Sequence, residues 1–73
     1  MKEYRLGSSP AVNTPGLIAW AINGYAFEDD RPQILTVIEN TFPTLPPKAV
    51  EQLLTQAVPY KVEGGIVAFT AEV

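Results

Sequence analysis

The stretch Val58-Pro59-Tyr60-Lys61-Val62-Glu63-Gly64-Gly65-Ile66-Val67-Ala68-Phe69-Thr70-Ala71-Glu72-Val73 decides the fold. Two strand-forming runs flank a Gly-Gly pair, and glycine supplies the positive φ angles that two-residue hairpin turns of the primed types need. With Gly64 and Gly65 at the turn, Glu63 pairs with Ile66, Val62 with Val67, Lys61 with Ala68 and Tyr60 with Phe69. Alternation then places Val58, Tyr60, Val62, Val67, Phe69 and Ala71 on one face, and Lys61, Glu63, Ile66, Ala68 and Thr70 on the other. The first face is almost wholly apolar. A slip of one residue would turn that set into water, so side-chain pattern and turn chemistry demand the same register.

Upstream of the hairpin, Leu45-Pro46-Pro47 opens a helix whose Val50, Leu53, Leu54 and Ala57 recur at i, i+3, i+4 and i+7, the clearest amphipathic pattern in the chain. Its outer face carries Lys48, Glu51, Gln52, Thr55 and Gln56, and Pro59 ends the segment. A second helix is predicted after Glu28-Asp29-Asp30-Arg31-Pro32, where a carboxylate cap precedes a proline in the first turn. It buries Ile34, Leu35, Val37 and Ile38 and ends at Phe42-Pro43, since the residue before proline is driven out of helical geometry. A first helix opens at Asn13-Thr14-Pro15-Gly16, with Thr14 as cap and Pro15 at the first position. It runs to Asn23 or Gly24, where a glycine can take the left-handed closing turn. At the N-terminus, Tyr4 and Leu6 alternate with Glu3 and Arg5 as one strand, broken by Gly7-Ser8-Ser9-Pro10.

The predicted fold class is therefore α+β in the order β-α-α-α-β-β, with three helices packed on a small antiparallel sheet that contains the C-terminal hairpin. Residues 1–73 form a single domain in this reading, as no linker or repeat divides them. Which sheet edge receives the first strand is left open by the sequence.

The inventory bounds the function. Of 73 residues, 47% are hydrophobic and 18% charged, a globular balance, yet none is cysteine or histidine. The commonest general base, the thiol nucleophile and the soft metal ligands are thus missing, and an enzyme is not expected. Ser8 and Ser9 lie beside Gly7 without a neighbouring base and read as turn residues. Glu28, Asp29 and Asp30 could offer oxygen ligands to a hard cation, but three consecutive carboxylates diverge and a helix cap accounts for them. Gly64-Gly65 joins two strands instead of opening a helix, so it is no phosphate cradle. Neither a cofactor nor a metal is expected. No apolar run reaches the length of a signal sequence or a membrane span, and the expected location is cytoplasmic.

Two surfaces could carry recognition. The element order is that of a winged helix-turn-helix variant, with residues 47 to 57 as recognition helix and Lys48, Gln52, Thr55 and Gln56 as base-contacting side chains. Against it stand the proline-stiffened connection 42–47, a wing tip without basic residues, and a net charge of −3. The other surface is the first helix, where Leu17-Ile18-Ala19-Trp20-Ala21-Ile22 is apolar at every position. A small domain has little interior to surround such a helix, burying only roughly 60% of its unfolded surface. If Leu17, Ala21, Ile22 and Tyr25 pack on the sheet, Trp20 faces outward as a contact residue; if Trp20 is the central core residue, Ala19 and Asn23 face water.

The expected function is a small, acidic, non-enzymatic protein-binding module, an adaptor or inhibitor of the kind that phages and mobile elements encode. Trp20, Tyr25 and Phe27 would supply contact area, and Glu28, Asp29 and Asp30 an acidic rim. The alternatives are the DNA-binding regulator and a structural subunit that associates with copies of itself. Nucleic acid and membrane are not expected as partners.

Overall fold

The computed structural model describes residues 1–7, 12–56 and 58–72. The expectations for the Ser8-Ser9-Pro10 break and for Ala57 on the third helix lie outside them. Strand β1 (Lys2–Leu6) is followed by α1 (Thr14–Gly24), a 3-10 turn (Glu28–Asp30), α2 (Arg31–Thr41), α3 (Pro47–Thr55), β2 (Tyr60–Glu63) and β3 (Ile66–Ala71). The element order is the predicted one. Gly64 and Gly65 take φ of 59° and 79°, and all four predicted hairpin pairs are present.

The sheet order is β1-β3-β2, so the first strand joins the free side of β3, pairing antiparallel from Lys2↔Ala71 to Leu6↔Val67. This is the edge assignment the sequence left open. It stacks Tyr4, Phe69 and Tyr60 across the sheet in one row and Leu6, Val67 and Val62 in the next. The rings of Tyr4 and Phe69 lie 5.6 Å apart. Helices α1 and α3 pack over the central strand β3. Between the layers Ile18, Ile34, Ile38, Leu53 and Val67 are fully enclosed, each contributing about 1.5–3 kcal/mol by leaving water. The opposite sheet face, with Glu3, Arg5, Lys61 and Glu63, has no layer over it among the described residues.

Several local expectations are corrected. The cap of α1 is Asn13, whose Oδ1 accepts from the Gly16 N–H at 3.3 Å, and Thr14 is instead the first helical residue, fully buried. The reason is a tertiary one. Gly7, at φ +97°, brings its backbone so close that a Cβ there would lie 2.3 Å from Thr14 Oγ1, so the threonine fills the seat where α1 meets the end of β1.

Gly24 does not take the left-handed turn, because the chain continues through Tyr25 at φ −67°. Its lack of a side chain serves packing: a Cβ would lie 2.8 Å from Ile34 Cδ1. The inward stripe of α1 is Thr14, Ile18 and Ala21, one helical turn apart, while Leu17, Ile22 and Tyr25 are only partly buried. At the start of α2 no carboxylate makes a side-chain cap bond; Glu28, Asp29 and Asp30 wind into the preceding 3-10 turn with their side chains in solvent. Val62 has the predicted facing but is 52% exposed, since β2 is an edge strand and the helices cover β3.

The segment between α2 and α3 is closed by the Leu45 N–H donating to the Phe42 carbonyl at 3.0 Å, which buries Leu45. Pro46 then stands at the N-cap of α3 in extended geometry, as the residue before Pro47 is pushed out of the helical region. The predicted stripe of α3 is buried at Val50, Leu53 and Leu54, with Ala49 added to it.

Candidate functional site

The apolar sequence of α1 could not say which side faces inward; packing decides it. With Ile18 and Ala21 against the core, a rotation of about 100° per residue carries Trp20 to the flank of the helix, where it is 44% exposed. After Gly24 the Phe27 N–H donates to the Gly24 carbonyl at 3.0 Å, closing a turn. Phe27 itself is extended, at φ −98° and ψ 112°, and its ring is 64% exposed. Glu28, Asp29 and Asp30 follow at once, all exposed and, among the described residues, in no ion pair. Two large apolar side chains and three uncompensated carboxylates therefore share the single segment Trp20–Asp30.

Arg31 anchors that segment. Its Nε donates to the Tyr25 carbonyl at 2.8 Å, and its guanidinium stands 5.1 Å from the centre of the Tyr25 ring. Arg31, the basic residue that follows the acidic turn, thus contacts the tyrosine and forms no ion pair with the carboxylates. Tyr25 is half-buried: it packs on the core and lines an open groove of about 280 Å³ with Leu35, Glu39, Pro47, Val50 and Thr55, between α2 and α3. Of the six residues the sequence singles out, Trp20, Phe27, Glu28, Asp29 and Asp30 thus stand in solvent, and Tyr25 supports the turn from beneath. The Arg31 contact escapes sequence reading, because it depends on the fold of the turn and not on spacing.

The residues for base contact are placed differently. Lys48 and Thr55 are exposed on α3 and Gln56 is exposed at its C-cap, because the helix ends at Thr55 and not at residue 57, while Gln52 is half-buried with both ends of its amide engaged. Its Nε2 donates to the Glu72 carbonyl, and its Oε1 accepts from the Glu72 N–H at 2.8 Å. The Thr55 hydroxyl donates back to the Glu51 carbonyl within the helix. Lys48 and Glu51 leave that face without net positive charge. Among the described residues no group of three or more acidic side chains is gathered in a way that could hold a metal ion, and no helix is long and apolar enough to cross a membrane.

The class these features define is a small α+β domain with a one-sided sheet and an exposed apolar-acidic segment at the end of its first helix. Comparison of the chain with protein-family models, with curated proteins and with solved structures finds no match.

Proposed function

We propose that this domain is a non-enzymatic binding module of the cytoplasm, an adaptor or inhibitor that docks the segment Trp20–Asp30 onto another protein. The observation that carries the reading is that the exposed Trp20 and Phe27 share one segment with three exposed carboxylates that form no ion pair among the described residues. Tryptophan is among the residues most enriched at binding hot spots, and large apolar side chains left in water gain most from a partner's pocket. The carboxylates favour a partner with a basic rim, raising the rate of encounter and disfavouring acidic competitors. The Arg31 clamp on Tyr25 holds the turn before binding, which lowers the ordering cost of association.

Trp20 is the chain's single tryptophan, so its emission reports on this surface alone. A partner recovered by affinity capture from cells that contain the protein is titrated against the purified domain. Emission should move to shorter wavelength on binding. Trp20→Ala should weaken binding by about 2 kcal/mol, near thirtyfold in Kd, with the cooperative fold retained. A folded Trp20→Ala variant that binds with wild-type affinity would sink the reading.

A further inference from the structure

The order β1-β3-β2 leaves β1 and β2 as the two edge strands of the sheet. The hairpin fixes which residues of β1 present backbone groups at its outer edge. In a two-residue hairpin the residues flanking the turn exchange both backbone bonds, so Ile66, Ala68 and Thr70 direct N–H and C=O toward β2. Val67, Phe69 and Ala71 then direct theirs toward β1, where they meet Leu6, Tyr4 and Lys2. By alternation, Glu3 and Arg5 turn their backbone N–H and C=O outward, with no strand beside them among the described residues.

The side chains at that edge are complementary to themselves. Laid antiparallel on a second copy with Tyr4 at the axis, Glu3 of one copy stands opposite Arg5 of the other, and Arg5 opposite Glu3. The two opposed residues are those whose backbone groups point outward, so hydrogen bonding and charge agree on this register. The neighbouring symmetric registers fail: an axis at Glu3 sets carboxylate against carboxylate, and an axis at Arg5 sets guanidinium against guanidinium. Charges on an edge ordinarily discourage pairing. Here their alternation rejects those two alignments and admits the one centred on Tyr4.

Within one copy Arg5 Nε already lies 3.1 Å from Glu3 Oε1, at side-chain exposures of 71% and 56%. Ion pairs this open contribute little, so exchanging it for cross-strand pairs costs little. The other edge is the poorer candidate. Strand β2 spans only Tyr60–Glu63, begins after Pro59, and its self-complementary register about Val62 would set Tyr60 against Gly64 of the turn.

We propose that β1 is a dimerisation edge: two copies pair their β1 strands antiparallel about Tyr4, Glu3 against Arg5, and join their sheets into one. The axis stands normal to the sheet, so both helical layers stay on the same side and the open faces become continuous. This interface is separate from the segment Trp20–Asp30 and does not depend on it.

Molar mass by sedimentation across a dilution series, from low to high micromolar protein, tests the proposal. Wild type is expected to pass from dimer to monomer on dilution. Glu3→Arg and Arg5→Glu should each raise the dimer Kd by at least about tenfold, with unchanged far-ultraviolet circular dichroism. Mixed in equal amounts, these two variants should form a heterodimer, and the double reversal Glu3→Arg/Arg5→Glu should restore self-association. Independently of those variants, Tyr4→Cys introduces the chain's only thiol at the axis, where facing Cα atoms stand about 4.5 Å apart, and mild oxidation should link it into a dimer. A wild type monomeric throughout overturns the proposal. So does a dimer indifferent to both reversals, one dissolved by Trp20→Ala instead, or failure of Tyr4→Cys to cross-link.

Discussion

Thr14→Val is expected to stabilise this protein. Thr14 is the first residue of α1, fully buried against Gly7, and its Oγ1 has no hydrogen-bond partner among the described residues. A buried hydroxyl left without a partner costs about 1–3 kcal/mol, because folding strips its water and returns nothing. Valine keeps the branched shape and has a similar helix propensity, so the exchange removes that cost without opening a cavity. The methyl is slightly larger than the oxygen and presses on Gly7, which takes back part of the gain. A net stabilisation of about 1 kcal/mol follows, equivalent to about 4–8 °C in Tm for a domain of this size. Urea and thermal unfolding followed by circular dichroism give the answer, with an unchanged m-value as the sign that the folded state alone has moved. Thr14→Ser is the companion: it keeps the hydroxyl, deletes the methyl and should lose about 1 kcal/mol. If Thr14→Val is destabilising by as much as Thr14→Ser, the hydroxyl is satisfied in solution and the reasoning fails.

The same seat makes Gly7 sensitive. Gly7→Ala meets both a backbone at φ +97° and Thr14 Oγ1 at 2.3 Å, and should cost more than about 2 kcal/mol. Gly64→Ala, at φ +59° with open space around it, should cost only about 1 kcal/mol, and a midpoint shift as large as that of Gly7→Ala would contradict the packing argument. At the other end, Gln52→Ala removes both hydrogen bonds to Glu72, for a loss of about 1 kcal/mol in urea unfolding and faster hydrogen exchange at the Glu72 amide.

The parts of the fold legible in the sequence are those where two local signals demand the same thing. Gly64-Gly65 and the alternation on either side of it fix one register between them, and that register is present. In α3 the spacing of Val50, Leu53 and Leu54 names the inward face without help from the rest of the chain. Helix α1 is the opposite case. Apolar residues at every position from Leu17 to Ile22 carry no orientation, and the close fits of Thr14 on Gly7 and of Gly24 on Ile34 choose Ile18 and Ala21 for the interior. The cap shifts from Thr14 to Asn13 for the same reason, since a side chain required by a tertiary contact is not available to the helix end. The exposed segment follows this division. Phe27 and the carboxylates lie beyond the helix and are exposed as a turn would leave them, whereas the facing of Trp20 and the use of Arg31 and Gln52 depend on neighbours distant in the sequence or on the folded turn.

Among the described elements the central strand β3 comes after both of its neighbours in the sheet. Strand β1, the helices and β2 therefore leave the ribosome before the strand that joins them. The hairpin can close locally, but β1 must wait through the synthesis of all three helices for its partner, a loop closure spanning nearly the whole described chain. Such long-range pairing gives folding a higher contact order than a helical bundle of equal length would have, and so a slower rate. During that wait the helices can form only a provisional cluster, and the nascent chain must keep Leu6 and the greasy side of α1 from wrong company until β3 arrives.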